Sequence, residues 1–289
     1  MIHSHDPNAK TFSKHWGHEG WHNLGLFILP RHPEINFTPE KEIHFLADFY
    51  TNHNPLTTQH LNQRLSARLK GIQHLRAERQ KSIQEWYEHV YIPGEKTVEW
   101  YKGLFNNKPT GQHWNADFSN LSALISEKGW QQITEDISNQ IKAIYILREP
   151  CERLWSQFKF SQKLNSKASE AELIQQASKF IGTRSAKIHS QYCLNLDNAR
   201  AGLGIENIKP LIFDDIQDKP VELLRSIERF LKISEFNYLN TGDLKRKINT
   251  TSNNSPPKQF RQLCEPIIHR EIEGLNRRGV DVPQRWHLD

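Results

Sequence analysis

The sequence has few cysteines, no long apolar run and little net charge, and each shortage excludes a class of protein. Cys151, Cys193 and Cys264 lack the spacing of a metal site or a redox pair, so we expect free thiols. No stretch approaches the ~20 apolar residues that span a membrane, and the polar N-terminus is unlike a secretory signal. Lys and Arg total 38 against 33 acids, a net charge of +5, which suits anionic ligands without indicating nucleic acid.

The length of 289 residues is enough for one large α/β domain with a substantial core, and we find no internal repeat or low-complexity linker. Early histidines are frequent, but no cysteine accompanies them and they form no pair on a predicted strand, so we expect no metal site. Residues 56–90 read as one or two charged helices with an apolar stripe that packs on the domain.

An apolar strand that runs into a turn rich in hydrogen-bond donors is the most informative part of the chain. Residues 143–147 form a β-branched, apolar run typical of a strand buried on both faces. Pro150 suits the first turn of a helix, and residues 152–160 read as helical. Ligands bind at the carboxyl ends of parallel strands, so we expect a binding site at this turn.

Two donors of this turn can reach one oxyanion. Arg148 follows the strand directly, and Ser156 lies about two helical turns later at ~3.6 residues a turn. A guanidinium offers a planar fork of donors and a serine offers its hydroxyl. Arg153, one turn before Ser156, can join them or pair with an acid. The spacing therefore predicts a phosphate site, although solvated or salt-bridged arginines at a strand–helix junction are the alternative.

A second candidate group is the segment HPEINFTPEKEIHF at residues 32–45. Glu42 and His44 are separated by one residue, so in an extended segment they point to the same side. A carboxylate beside an imidazole can take a proton from a substrate hydroxyl when burial raises the pKa of the acid toward working pH. The alternative is a turn before a surface helix, with Lys41 and Glu42 solvated.

Together these motifs resemble the sulfotransferases that use 3'-phosphoadenosine 5'-phosphosulfate (PAPS), in their carbohydrate-type and bacterial branch. The spacing RxPxxRxxS is similar to the 3'-phosphate element of that family, and the HP...P.KE.HF pattern is similar to the segment that carries its base. The resemblance implies a single α/β domain with a mostly parallel sheet flanked by helices, of the nucleotide-kinase-like type. It implies that Arg148, Arg153 and Ser156 bind the 3'-phosphate, that Glu42 is the base and that His44 lines the same pocket.

Weaker parts of the resemblance add further candidates. Tyr192 begins a YxxhL helix that precedes a second buried-type strand, KPLIF, and its amphipathic helix at residues 221–231. The basic run Lys245, Arg246 and Lys247 is similar to a loop that closes over the 3' end of the nucleotide in relatives. His113 falls where relatives have a lysine, which implies contact with the sulfuryl oxygens or the acceptor, although a histidine beside a tryptophan is more often a packing residue.

The N-terminus departs from the family pattern. A loop of the form PKxGTTxL, whose amides and lysine bind the 5'-phosphosulfate, corresponds here to residues 18–24, with Glu19 in place of the lysine. Lys10 and Lys14 are the possible substitutes. Three explanations are open: the loop has diverged, the chain lacks its first strand, or the reaction has been lost. We favour the absence of the first strand, because residues 1–14 contain no apolar run. We therefore divide the chain into a divergent segment 1–29 and a domain 30–289.

The resemblance implies transfer of a sulfuryl group from PAPS to a hydroxyl or amine, with PAPS as co-substrate and no metal. The alternative is a catalytically impaired nucleotide- or glycan-binding protein on the same fold, and a weaker one is a nucleic-acid binder that uses the helices of residues 56–90. Small-molecule, lipid and carbohydrate acceptors all stay open, because variable loops build acceptor pockets. We expect a bacterial, cytoplasmic protein without a membrane span.

Overall fold

The structure is a computed structural model that describes residues 10–15, 29–51, 58–106, 113–162, 169–238 and 255–287. For residues 10–15 it describes the backbone.

The centre of the molecule is a five-stranded sheet in which every paired neighbour is parallel. The strands lie in the order β2-β3-β1-β4-β5. They are β1 (Lys10–His15), β2 (Ile35–Phe37), β3 (Trp114–Phe118), β4 (Ile141–Leu147) and β5 (Ile208–Ile212). The chain thus builds one side of the sheet before it crosses over β1 to build the other. This parallel α/β architecture confirms the predicted fold class.

The middle strand comes from the N-terminal segment. β1 pairs with β3 and with β4, and its register sets Lys14 opposite both Phe118 and Ile144. The expectation that residues 1–14 contain no strand, and that the chain lacks its first strand, is therefore wrong. Residues 10–15 carry a single large apolar side chain, that of Phe12, so apolar patterning gave no sign of the strand. Its backbone hydrogen bonds to two neighbours hold it in the sheet instead.

Helices connect the strands and cover the sheet. Between β2 and β3 lie α1 (Phe45–Thr51), α2 (Thr58–Gly71), α3 (Ala77–Trp86), which continues as a π-helical turn over Tyr87–Tyr91, and α4 (Val98–Gly103). After β3 come α5 (Glu127–Asp136), α6 (Pro150–Gln162), α7 (Glu170–Ile181), α8 (Arg184–His189) and α9 (Tyr192–Leu203). After β5 come α10 (Asp215–Asp218), α11 (Pro220–Leu231) and α12 (Lys258–Arg277). None of the described helices is both long and apolar enough to cross a bilayer.

The apolar core is divided by the sheet into two clusters. Along β4, Ala143, Tyr145 and Leu147 belong to one cluster, whereas Ile144 and Ile146 belong to the other. This alternation follows from the two-residue period of a strand, and burial on both faces explains the continuous apolar run. The predicted stripe of the 56–90 region packs against the first cluster, with Leu61 and Ile72 buried, so its apolar face serves packing.

Candidate functional site

The turn after β4 is organised around Arg148 and Glu149. The Arg148 guanidinium donates from Nε to Glu152 Oε2 at 3.3 Å and lies over the Phe213 ring, with Cζ 5.1 Å from the ring centroid. Its Nη1 is buried and has no hydrogen-bond partner among the described residues. Tyr192 donates its hydroxyl to the Arg148 carbonyl at 3.0 Å, which fixes the end of the strand. Arg148 therefore keeps part of its donor fork available to an acceptor.

Glu149 caps the helix that follows. Its Oε2 accepts from the backbone N–H of Glu152 at 2.7 Å, and Pro150 is the first helical residue, as its fixed φ favours. The carboxylate is also 3.5 Å from Arg261 of α12. Burial raises the pKa of Glu149 because it disfavours the charged form, although the cap and Arg261 oppose this. The start of α6 is thus tied to α12 through a buried acid.

Arg153 and Ser156 lie one turn apart on α6, so they occupy nearly the same helix face. Arg153 donates to Gln157 Oε1 at 2.9 Å and to Ser190 Oγ at 2.6 Å, and the second bond holds α6 against the end of α8. Ser156 is buried, and its hydroxyl has no partner within the described ranges. Arg153 is therefore mostly engaged within the protein, whereas Ser156 is not.

A small cavity of about 20 Å³ opens beside the two arginines, and its described lining does not include Ser156. Arg148, Arg153 and Tyr192 line it, together with Asn120, Tyr145 and Asn195. A space of this size admits about one water or one ligand oxygen. Three predicted site residues therefore meet at one cavity at the carboxyl end of β4.

The second group of candidates follows β2 and is hydrogen-bonded to residues at the carboxyl end of β3. The backbone N–H of Glu42 donates to the Phe118 carbonyl at 2.5 Å, and that of His44 donates to Ser119 Oγ at 2.9 Å. β3 and β4 are separated by β1 alone, which puts them about 10 Å apart. Glu42 and His44 consequently lie at the same edge of the sheet as Arg148.

The backbone of this segment is strained. Glu42 has φ of 53° and His44 has φ of 61°, both in the left-handed region that residues with a Cβ rarely adopt. The segment is therefore not extended, so the two-residue period of a strand does not set the directions of the Glu42 and His44 side chains. It is a turn that leads into α1, which is the local geometry of the alternative interpretation. Such strain persists only where the surroundings hold it, and it concentrates at functional sites.

A buried polar network holds the strained turn in place. Ser119, which accepts the N–H of His44, donates to Asp117 Oδ1 at 2.8 Å, and Tyr101 donates its hydroxyl to Asp117 Oδ2 at 3.1 Å. From the other side, Arg64 donates to the Glu42 carbonyl at 2.7 Å and to the Tyr91 hydroxyl at 2.9 Å. Burial raises the pKa of Tyr101, and the nearby carboxylate of Asp117 raises it further. The Tyr101 hydroxyl therefore keeps its proton and stays a donor.

The pKa values of Glu40 and Lys41, the two residues before Glu42, are shifted. Burial raises the pKa of Glu40, whose Oε2 accepts the Tyr87 hydroxyl at 2.5 Å. Burial lowers the pKa of Lys41, while the carboxylates of Glu42 and Glu40 partly restore it. Lys41 and Glu42 are each partly exposed, so the pair lies at the border between the core and solvent.

His113 lies apart from both groups. It immediately precedes β3, at the amino end of the strand, where its Nδ1 is 2.8 Å from Glu34 Oε2 and its side chain is 61% exposed. The five residues of β3 span about 16 Å at ~3.3 Å each, so His113 is on the opposite edge of the sheet from Glu42. The expectation that His113 contacts the reacting group therefore does not fit its position, because the strand carries it away.

Of the candidate cations, Lys10 starts β1 at the amino edge and Lys14 lies near its carboxyl end, in register with Phe118. Lys245, Arg246 and Lys247 lie outside the described residues. Cys151 and Cys264 are buried free thiols and Cys193 is a partly exposed one. A hydrogen bond with Cys264 and burial raise the pKa of Cys151, which makes it a poor nucleophile.

Sequence reasoning missed the residues that support the site. Asp117 is an acid inside an otherwise mostly apolar strand, and an acid near the carboxyl end of a buried strand is a signal that could have been used. Glu149 stands between Arg148 and a proline that starts a helix, which is the position of a helix cap. No local pattern marks Ser119 as the partner of His44, since 75 residues separate them.

Comparison with family models and with curated proteins finds no match. Solved structures do match. A sulfotransferase from Alicyclobacillus acidocaldarius has a TM-score of 0.60 at 15% identity, over 96% of this chain and 98% of that chain. The sulfotransferase domain of the Synechococcus PCC 7002 olefin synthase has a TM-score of 0.51 at 15% identity, over 98% and 100%. A sulfotransferase from Mycobacterium avium has a TM-score of 0.50 at 12% identity, over 92% and 77%. At such identities the likeness concerns the fold alone, and the chain has the sulfotransferase fold.

Proposed function

We propose that this protein transfers a sulfuryl group from PAPS to a hydroxyl or amine of an acceptor. The observation that carries the proposal is a pair of buried donors, Arg148 Nη1 and Ser156 Oγ, which lack partners among the described residues in a sulfotransferase fold. A buried donor without an acceptor costs about 1–3 kcal/mol. An anion that accepts from both donors removes that cost.

Arg148 and Ser156 hold the 3'-phosphate of the donor in this proposal. The guanidinium supplies charge and directed N–H groups, which bind phosphate more strongly than neutral donors do. Arg153 and Tyr192 act through position: the arginine is engaged with Gln157 and Ser190, and the tyrosine with the Arg148 carbonyl. When PAPS is bound, it supplies the sulfuryl group and leaves as the 3',5'-bisphosphate, PAP.

Glu42 accepts the proton of the acceptor hydroxyl or amine, and His44 shapes the same pocket. The left-handed turn and its contacts to Phe118 and Ser119 fix both residues before the acceptor arrives. Such fixed positioning is worth as much as ~7–11 kcal/mol of barrier when reacting groups are well oriented. Loss of the Glu42 carboxylate should therefore abolish transfer and leave nucleotide binding intact.

A cation near the leaving oxygen comes from β1 in this proposal. Lys14 is in register with Phe118, the residue whose carbonyl accepts the N–H of Glu42, and adjacent strands are about 4.8 Å apart. Lys14 is thus the better candidate than Lys10, which starts the strand at the far edge. Lys245, Arg246 and Lys247 stay candidates for covering the 3' end of the nucleotide.

The test is a pair of measurements on one sample: calorimetry with PAP, and transfer of labelled sulfate from PAPS to a panel of hydroxyl and amine acceptors. The proposal is supported if Arg148→Ala weakens PAP binding and Glu42→Gln abolishes sulfate transfer. Wild-type protein that does not bind PAP contradicts it. Binding without transfer to any acceptor favours instead a catalytically impaired nucleotide- or glycan-binding protein, with Glu19 in place of the expected lysine as its sequence correlate.

A further inference from the structure

Phe213 follows β5 at the position where Arg148 follows β4. The two strands are parallel neighbours, and their register sets Leu147 opposite Ile212, so Arg148 and Phe213 form the next pair along the chains. The backbone N–H of Phe213 donates to the Leu147 carbonyl at 2.7 Å, which holds the two chains together at this edge. Neighbouring strands lie about 4.8 Å apart. The sheet itself therefore brings an aromatic side chain beside the arginine of the proposed phosphate site.

The Phe213 side chain lies on the face of the sheet that Arg148 shares. Side chains alternate between the two faces along a strand, which puts Arg148 on the side of Ile146. Phe213 packs against the apolar cluster that contains Ile146, and its ring is half-buried. The Arg148 Cζ is 5.1 Å from the centroid of this ring. A guanidinium within about 6 Å of a ring face is attracted by the π electrons of the ring.

The described ion pair of Arg148 is a weak restraint by comparison. Its Nε is 3.3 Å from Glu152 Oε2, which is long for a hydrogen bond, and the Glu152 side chain is 45% exposed. Water and salt screen a pair of this kind, so it is worth little. The Arg148 side chain is only 18% exposed, so its contact with the Phe213 ring is screened less. The ring is thus the stronger of these two restraints on the guanidinium.

The ring holds the guanidinium without satisfying its donors. A phenyl ring offers π electrons but no lone pair, whereas a guanidinium carries five N–H donors. Nη1 of Arg148 is buried and has no hydrogen-bond partner among the described residues, and the arginine lines the small cavity at this edge of the sheet. A donor that is oriented before an anion arrives loses less conformational entropy on binding, which strengthens the binding.

The residue after Phe213 is fixed by a distant part of the chain. Asp214 Oδ1 accepts from Arg285 Nε at 2.8 Å and from its Nη2 at 2.6 Å, and Asp214 Oδ2 accepts from Trp286 Nε1 at 2.9 Å. Trp286 is buried in the core, so these bonds attach Asp214 to the body of the protein. Together with the bond to the Leu147 carbonyl, they fix the backbone on both sides of the Phe213 ring.

We propose that Phe213 is a positioning residue of the nucleotide site, whose ring holds the Arg148 guanidinium so that Nη1 is already oriented when an anion arrives. The use of this site for a 3'-phosphate rests on the proposed sulfuryl transfer, whereas the ring contact rests on the sheet alone. Phe213 acts through Arg148 and not on the reacting atoms. Its contribution depends on the electron density of the ring face, which distinguishes it from simple packing.

The test varies the electron density of the ring at nearly constant size. Phenylalanines with one, two and three ring fluorines are placed at position 213 by stop-codon suppression, since each fluorine withdraws electrons from the ring face. We expect the Kd for PAP, measured by calorimetry, to rise stepwise to about two- to fivefold for the trifluoro ring, the equivalent of ~0.5–1 kcal/mol. In an Arg148→Ala background the same series should leave the residual Kd unchanged.

Phe230 is the matched control. It is half-buried against the same apolar cluster, and Lys142 Nζ lies 4.3 Å from its ring centroid. Lys142 is at the amino end of β4, and the six residues from it to Arg148 span about 20 Å. The fluorinated series at position 230 should therefore leave the Kd for PAP unchanged.

A second readout needs no nucleotide. A ring face shifts the NMR signal of a guanidinium proton above it upfield, and Arg148→Lys identifies the Nε–H signal of Arg148 by removing it. This signal should move downfield in Phe213→Leu and stay in place in Phe230→Leu. A signal that does not move in Phe213→Leu overturns the inference, whether or not PAP binds.

The remaining outcomes separate the inference from the proposed function. If Arg148→Ala weakens PAP binding but fluorination at position 213 does not, Phe213 is not a positioning residue and the proposed function stands. An equal response at position 230 reveals a general effect on packing and also overturns the inference. Absence of PAP binding to the wild-type protein contradicts the proposed function, and the NMR signal then decides whether the ring holds Arg148.

Discussion

The left-handed turn at residues 42–44 predicts that replacing Glu42 by glycine stabilises the protein while it abolishes transfer. A residue with a Cβ pays roughly 1–2 kcal/mol in the left-handed region. Glycine does not pay this, but its greater freedom in the unfolded chain costs about 0.5–1 kcal/mol. The difference leaves a net gain of about 0.5–1 kcal/mol for Glu42→Gly. The backbone bonds from Glu42 N to Phe118 and from Arg64 to the Glu42 carbonyl are retained, because they involve no atom of the side chain.

The assay is urea unfolding, with thermal unfolding as a second measure. For a domain of this size 1 kcal/mol corresponds to about 2 °C in the melting temperature. Two variants isolate the cause. Glu42→Gln removes the carboxylate and keeps the Cβ, so it should abolish transfer without the gain in stability. Lys232→Gly relaxes a left-handed residue with φ of 55° at the end of α11, so it should gain stability and keep full activity.

The three variants together test whether the backbone of Glu42 is strained. Glu42→Gly should be more stable than Glu42→Gln by about 0.5–1 kcal/mol. If Lys232→Gly gains stability and Glu42→Gly does not, the backbone of Glu42 is not left-handed and the strain argument is refuted. If Glu42→Gly retains transfer, Glu42 is not the base, whatever its effect on stability.

Three further predictions test the supports of the site. Arg148→Ala should weaken PAP binding roughly 10- to 150-fold, the equivalent of the ~1.5–3 kcal/mol of a charged hydrogen bond, and Arg148→Lys should restore only part of it; unchanged affinity by calorimetry would remove the arginine from the site. Ser119→Ala should cost about 1–3 kcal/mol of stability and lower kcat with the PAP affinity unchanged, and an unaltered kcat would show that the bond to His44 has no catalytic role. Burial raises the pKa of Glu149 above 4.5, so the folded state binds the proton of this carboxyl more tightly than the unfolded state does. The free energy of unfolding should therefore fall as the pH rises above 4.5 through the raised pKa. Glu149→Gln should flatten this pH dependence in urea titrations, and an unchanged pH dependence would contradict the buried charge.

The strand–turn–helix around Arg148 was predictable because each of its parts is marked locally. The apolar run of β4 reflects burial on both faces, and Pro150 marks the first residue of α6. β5 and α11 were predictable for the same reasons, since the strand is apolar and the apolar residues of the helix recur at helical spacing.

Other parts of the structure depend on partners distant in sequence, and no local pattern reports them. β1 is a strand because β3 and β4 provide hydrogen bonds on both of its sides, although its residues are mainly polar. Glu42 and His44 are left-handed because Phe118 and Ser119, more than 70 residues away, hold their N–H groups. The sequence therefore marks Glu42 and His44 as candidates by residue type, and it contains no local signal for the backbone that orients them.

Some parts of the structure are marked locally in the sequence and others are not, and this difference has a physical cause. A catalytic pair on a regular strand or helix has its direction set by the local period, so it can be read from spacing. A pair on a strained turn takes its direction from contacts that outweigh local preference by a few kcal/mol, as the left-handed region requires. At Glu42 and His44 those contacts come from the end of β3, where Asp117 and Ser119 are polar although the strand is buried. Polar residues buried at the end of such a strand thus indicate where a sheet holds a distant segment in place for chemistry.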